Sequence, residues 1–201
     1  KNGIINSEGA LNVYKSKIKM KNIIFKNNTG GDDGINFINS EFELRNIKLE
    51  NILSDGVDLD YSEGIIENFN CTKCGNDGID LSNTTLKLVG YVSSNTGDKS
   101  ISVGENSILE AEEINIDNTK IGIAIKDGSK VDLKNLNINL SEYPIAVYIK
   151  KQAFGAGNIN IRNLILKDNL NPLILEKGSI FNFDNNYPIQ IKKNVFTKIY
   201  P

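Results

Sequence analysis

A chain of 201 residues with 39% apolar side chains has material for one sizeable core, and its 24% charged content is ordinary for a folded domain. No run reaches the ~18 apolar residues that a membrane-spanning helix requires, no basic-then-apolar leader is visible, and an opening Lys1 suggests an excised domain or a processed form. The formal charge of −2 conceals an acidic middle, with 18 acidic against 5 basic side chains between Asn27 and Asp117; with Arg45 and Arg162 the only guanidinium donors, this speaks against nucleic acid as a partner.

Along the chain, Lys15, Lys17, Lys19 and Lys21 alternate with Ile18 and Met20, which reads as the solvated face of a strand rather than an anion patch. From residue 31 a phrase repeats: GDDGINF at 31–37, LSDGVDL at 53–59, GNDGIDL at 75–81. Steps of 22 from Gly34 reach Gly56, Gly78, Ser100, Gly122 and Pro144. Each is followed by an apolar, polar or small, apolar triplet: I-N-F, V-D-L, I-D-L, I-S-V, I-A-I, I-A-V. Strict alternation of this kind marks a half-buried strand. Two further alternating stretches fill each unit, as in F-E-L at 42–44 and I-K-L at 47–49, so three short strands per unit are expected. A unit this small cannot bury its apolar stripes alone; it must stack on its neighbours. Helical spacing is missing, and so is the L-x-x-L-x-L signature of leucine-rich repeats.

Cys71 and Cys74 form C-T-K-C. A structural zinc site would need a second ligand pair, which a chain without histidine or further cysteine cannot supply, and a redox pair belongs with a βαβ pattern. The expectation is one thiol in the core and one in a turn. Between Ile149 and Ile159 the unit lengthens, making 150–158 the one clear side loop. The aromatic residues Phe181, Phe183, Tyr187, Phe196 and Tyr200 fall where the period fades and read as a C-terminal cap around 180–201 on a single domain spanning 1–201.

Asn22, Asn46, Asn68, Asn135 and Asn163 recur at the bend between the second and third strands, with Gly90 and Glu113 interrupting the column. With the period, this asparagine column resembles the right-handed parallel β-helix of the pectate-lyase-like superfamily. The resemblance covers essentially the whole chain and implies an all-β, single-stranded solenoid. The segments 96–105 and 121–131 also resemble β-helix modules of bacterial surface and envelope proteins, including some that accompany spore-coat-protein-H-like domains. They imply a secreted, cell-surface or periplasmic location and adjoining domains of a larger chain.

Stacking would place Asp33, Asp55, Asp77 and Lys99 in one file at the turn, and Asn36, Asp58, Asp80 and Ser102 in a second on the outer face. The intervening glycines would permit the bend and leave the surface open. Such a column of carboxylates needs relief by turn amides, a lysine or a cation. Asp55, Asp58, Asp77 and Asp80 are the candidate calcium ligands, with Asp60 nearby; the alternative is that they are turn formers accepting local backbone hydrogen bonds.

Three functions follow as expectations. The first is a non-catalytic extracytoplasmic module that binds or displays carbohydrate, a polysaccharide or surface glycan. Lys150, Lys151, Tyr61 and Tyr148, with Phe154 and Tyr143 beside them, would contact sugar. The second is an enzyme with Lys99, Asp77 and Asp80 as catalytic residues. As a calcium-dependent polysaccharide lyase it needs a neutral Lys99, which neighbouring carboxylates oppose. As a relative of polygalacturonases, which N-D-G-I-D at 76–80 and G-D-K at 97–99 resemble, it lacks the second aspartate of the family's pair and its histidine. The third is a structural spacer or adhesin segment.

Overall fold

The structure, a computed structural model, describes residues 9–184 and 186–201. Its strands are β1 (Gly9–Tyr14), β2 (Lys17–Asn28), β3 (Asp33–Ile38), β4 (Glu41–Ile52), β5 (Val57–Asp60), β6 (Glu63–Cys74), β7 (Ile79–Ser82), β8 (Thr85–Gly104), β9 (Ile108–Lys126), β10 (Lys130–Tyr148), β11 (Asn158–Lys167), β12 (Leu173–Glu176), β13 (Ile180–Phe183) and β14 (Ile189–Lys192), followed by the helix α1 (Val195–Ile199). All pairings are parallel, and the chain forms a β-solenoid of about eight turns with a spacing near 22 residues. Val57 pairs with Ile79 and Ile79 with Ile101, the register that the repeated phrase predicts.

The triplets bury their two apolar members. Ile35, Val57, Ile79, Ile101, Ile123 and Ile145 form one inward file, and Phe37, Leu59, Leu81, Val103, Ile125 and Val147 the next. Each such side chain stabilises the fold by roughly 1.5–3 kcal/mol relative to exposure, so the stacked files are the main source of stability. The second and third strands of a coil merge into one: β4 runs through Asn46, which turns the chain in the left-handed region at φ 54° without breaking the ladder.

That corner carries the expected asparagine column. Asn46 donates to Asn22 at 2.9 Å and Asn68 to Asn46 at 3.1 Å; Glu113 restores the file, accepting from Asn135 at 2.7 Å, and Asn163 donates to Asn135 at 2.7 Å. A second left-handed corner returns the chain toward the first strand. Asn27, Asn51, Lys73, Asn95, Asn118, Leu140 and Asp168 occupy it, with Asn51 donating to Asn27 and Asn118 to Asn95. At the third bend Ser40, Ser62, Thr84, Ser107 and Ser129 form a hydroxyl ladder. The backbone N–H of Ser40 donates to Ser62, that of Ser62 to Thr84, that of Thr84 to Ser107 and that of Ser107 to Ser129.

Two expectations are corrected. Both cysteines point inward, fully buried, and are joined as a disulfide, because Cys71 and Cys74 straddle the left-handed Lys73 and the bend brings their side chains together. The glycines of the repeated phrase serve approach between coils rather than an open surface. A Cβ at Gly34 or Gly56 would stand 2.6 or 2.5 Å from the carbonyl oxygen of the next coil's glycine, and at Gly56 also 2.6 Å from Cys71 Sγ.

The aromatic residues of the C-terminal stretch divide between two places. Phe183 and Tyr187 pack against the main core, whereas α1 folds back along the side of the solenoid. There Val195 and Ile199, flanked by Phe196 and Tyr200, cover Ile121, Ala124, Ala146, Tyr148 and Ile174 in a second apolar cluster.

Candidate functional site

The outward side chains of the first strands form a ridge with three parallel files. At the turn stand Asp33, Asp55, Asp77 and Lys99; then Asn36, Asp58, Asp80, Ser102, Ala124, Ala146 and Ile174; then Ile38, Asp60 and Ser82. Continuing the same register, Gly104, Lys126, Tyr148 and Glu176 extend the last file. Carboxylates thus occupy the N-terminal coils and apolar groups under α1 the C-terminal ones.

In the turn file each carboxylate accepts the backbone N–H of its successor. Asp55 donates to Oδ1 of Asp33 at 3.2 Å, Asp77 to Oδ1 of Asp55 at 2.8 Å, and Lys99 to Oδ1 of Asp77 at 3.0 Å. These aspartates therefore act as turn formers, one per coil. Lys99 ends the file. Its ammonium lies 3.1 Å and 3.2 Å from the two oxygens of Asp77 and also contacts Asp98, whose oxygens accept the Tyr200 hydroxyl at 2.7 Å and 2.8 Å. Burial alone would push the Lys99 ammonium toward neutrality, but Asp77 and Asp98 outweigh it and hold the group protonated.

The middle file is less satisfied. Lys126, itself buried, places its ammonium 3.6 Å from Oδ1 of Asp80, an oxygen with no hydrogen bond among the described residues. Ser102, the next coil's residue in the same file, is 0% exposed, and its Oγ likewise has no hydrogen-bond partner there. Burial, with the charges of Asp60 and Asp80, pushes the Asp58 carboxyl up to about 8; burial, with Asp55, pushes Asp33 up to about 7. Asp55 is raised as well, by burial, against the hydrogen bond from Asp77.

Of the four residues expected to ligate calcium, Asp55, Asp77 and Asp80 bring one carboxylate oxygen each within 4.8 Å of the others; Asp58 stands outside that group, one coil up from Asp80. The expected sugar contacts scatter. Tyr148 is 1% exposed and its ring lies 5.7 Å from that of Phe196, so no ring face is open for a sugar; outward parity placed it on the surface, and α1 covers it. Tyr143 is half-buried beside the same cluster. Lys151 pairs with Glu105 at 2.6 Å, and the 149–157 loop is tied down by the buried Asp127, whose Oδ1 accepts the backbone N–H groups of Lys150 and Lys151. Tyr61, 64% exposed, lines a groove of about 650 Å³ with Lys15, Asn39, Glu41 and Asn83, at the third bend.

Lys126 and Glu176 complete the ridge and were not among the expected site residues. Steps of 22 from Gly104 reach Lys126, so the period itself would have found it. Glu176 is a longer-range matter: its two oxygens accept the backbone N–H groups of Asn194 at 2.8 Å and Val195 at 2.9 Å, fastening the start of α1.

No protein-family model matches this chain, and no curated protein does. Among solved structures it is similar to the catalytic domain of a GH87 α-1,3-glucanase in complex with nigerose, at 12% identity and a TM-score of 0.38, covering 90% of this chain and 49% of that one. The chain thus spans about half the length of that structure, and a likeness of this degree carries no argument about chemistry.

Proposed function

We propose that this chain is a non-catalytic carbohydrate-binding β-solenoid module of the pectate-lyase-like kind, working outside the cytoplasm, with the acidic ridge as its glycan-facing surface. The observation that carries the reading is the state of Lys99. A lyase base must be neutral and face substrate, whereas Lys99 is a buried residue, 8% exposed, whose ammonium is held protonated between Asp77 and Asp98, beside a Tyr200 that hydrogen-bonds Asp98. The ridge offers carboxylates and hydroxyls to sugar hydroxyls, while Tyr61 and Lys151 stand at its third-bend edge. The buried disulfide supports a location outside the cytoplasm, where such bonds persist.

Calcium is the accessory that suits this ridge. Asp55, Asp77 and Asp80 would hold it, being hard oxygen donors within reach of one another, with Oδ1 of Asp80 making no hydrogen bond among the described residues. Bound there, it would offset the mutual repulsion of the carboxylates, in competition with Lys126.

Binding to an array of bacterial and plant polysaccharides, with and without chelator, tests the reading. Retention of at least one glycan without release of unsaturated or shortened products is expected. Ultraviolet-absorbing products from uronate polymers, abolished in Lys99→Ala, would replace the reading with a lyase; no retention of any glycan would leave a structural spacer.

A further inference from the structure

The two files of carboxylates end in the same way. At Asp77 the next coil supplies the ammonium of Lys99, and at Asp80 the ammonium of Lys126 approaches from two coils on. Each is a primary ammonium on a flexible stem, laid against an aspartate of the ridge. One coil toward the N-terminus, Asp55 and Asp58 occupy the equivalent places, and among the described residues no ion pair reaches either of them, or Asp33 above. The chain therefore supplies an ammonium to the lower carboxylates, whereas Asp55 takes the neutral amide of Asn76 at 2.7 Å and the Asp58 carboxylate has no side-chain partner among the described residues. A second observation lies at the lower end of the ridge. Ser102, outward in the file directly below Asp80 and fully buried under its neighbours, has a hydroxyl with no partner among the described residues. A buried hydroxyl left unpaired is costly and is ordinarily satisfied by water or ligand.

We propose that the acidic ridge is a subsite for a linear polymer of amino sugars, whose ammonium groups seat on Asp58 and Asp55 as those of Lys126 and Lys99 seat on Asp80 and Asp77. This rests on the carbohydrate-binding reading and names its ligand class. Asp55 and Asp58 share one coil and Asp80 lies on the next, at the coil spacing of about 4.8 Å, close to the length of one sugar unit in an extended chain, so one sugar would meet Asp55 and Asp58 and its neighbour would meet Asp80. Ser102 and Asp80 then take the hydroxyl and ammonium at the chain's lower end once the Lys126 side chain swings aside.

The test uses the whole protein in low salt with chelator present, titrated with a soluble glucosamine oligomer, its fully N-acetylated counterpart, polygalacturonate and a lysine oligomer of equal charge. Expected are saturable binding of the glucosamine oligomer, loss of about tenfold or more in affinity in Asp58→Asn, where tenfold corresponds to about 1.4 kcal/mol, and tighter binding in Lys126→Met. Glu110→Gln, an exposed carboxylate on another face, should change nothing. The Asp58 carboxylate makes no hydrogen bond among the described residues, its backbone pairing is kept in Asp58→Asn, and thermal melts check that each variant is folded. Equal binding of the acetylated oligomer, equal binding of the lysine oligomer, or an unchanged Asp58→Asn would overturn the proposal. If polygalacturonate or a neutral glycan binds and glucosamine does not, the amino-sugar subsite falls while the binding module stands; if no glycan binds, both fall.

Discussion

Asp77 holds Lys99 twice, its Oδ1 accepting the backbone N–H at 3.0 Å and the side-chain ammonium at 3.1 Å. Removing one partner leaves the other charged group buried and unpaired, which costs about 3–5 kcal/mol where such pairs have been broken. Lys99→Met should therefore lower the urea midpoint strongly, and adding Asp77→Asn should recover part of the loss despite the second substitution. Additive losses would mean that the two residues are not coupled.

The raised carboxyls make stability depend on pH in an unusual direction. Asp33 and Asp58 titrate near 7 and 8 when folded, above their value in an unfolded chain, so the folded state binds more protons. Their contribution is fully present below about pH 4, the unfolded range, and is lost as pH rises through 7 and 8. Thermal melts should show a falling Tm over that interval. Asp58→Asn should flatten the upper part and raise stability at pH 8 by about 1–2 kcal/mol, roughly 2–8 °C for a chain of this size. Millimolar calcium should oppose the fall if Asp55, Asp77 and Asp80 take it up.

Gly90 sits in the left-handed corner at φ 71°, where a Cβ would meet the side-chain oxygen of Asn68 at 3.0 Å and its backbone in ordinary contact at 3.7 Å. Asparagine tolerates that backbone and would rejoin the ladder that the glycine interrupts. Gly90→Asn should stabilise by about 0.5–1 kcal/mol through the unfolded chain and one added hydrogen bond. Asn46→Ala, which keeps the strained backbone and loses the bonds to Asn22 and Asn68, should destabilise by about 1–2 kcal/mol. Chemical denaturation of both variants measures the contrast.

Glu176 fixes α1 with two charge-assisted hydrogen bonds, each worth about 1.5–3 kcal/mol. Glu176→Ala should free the helix while leaving the solenoid folded. Hydrogen exchange at 195–199 should accelerate, trypsin should cut at Lys193 and Lys198, and Tyr148 should become accessible to solvent quenchers. Unchanged exchange would show that the apolar contacts of Val195 and Ile199 suffice.

The solenoid was legible because its information is local and repeated: one period fixed the register of Val57, Ile79 and Ile101 and the membership of the carboxylate files. What escaped was not periodic. The second left-handed corner holds Lys73, Leu140 and Asp168 beside its asparagines, so residue type hid a backbone conformation that neighbouring coils impose. Tyr148 had the parity of an exposed residue, and only the return of a segment some fifty positions later buries it. The cysteine pair was misjudged because alternation, which sends residues three apart to opposite faces, fails when a left-handed residue lies between them.

The replacement of carboxylates by Ala124, Ala146 and Ile174 beneath α1, with Lys99 and Lys126 at the boundary, gives the ridge a direction. A polymer laid along it toward the C-terminal coils would meet a wall at Ala124, where α1 covers the ridge. A track closed at that end would halt a strand there and would leave it no path onward beneath the helix.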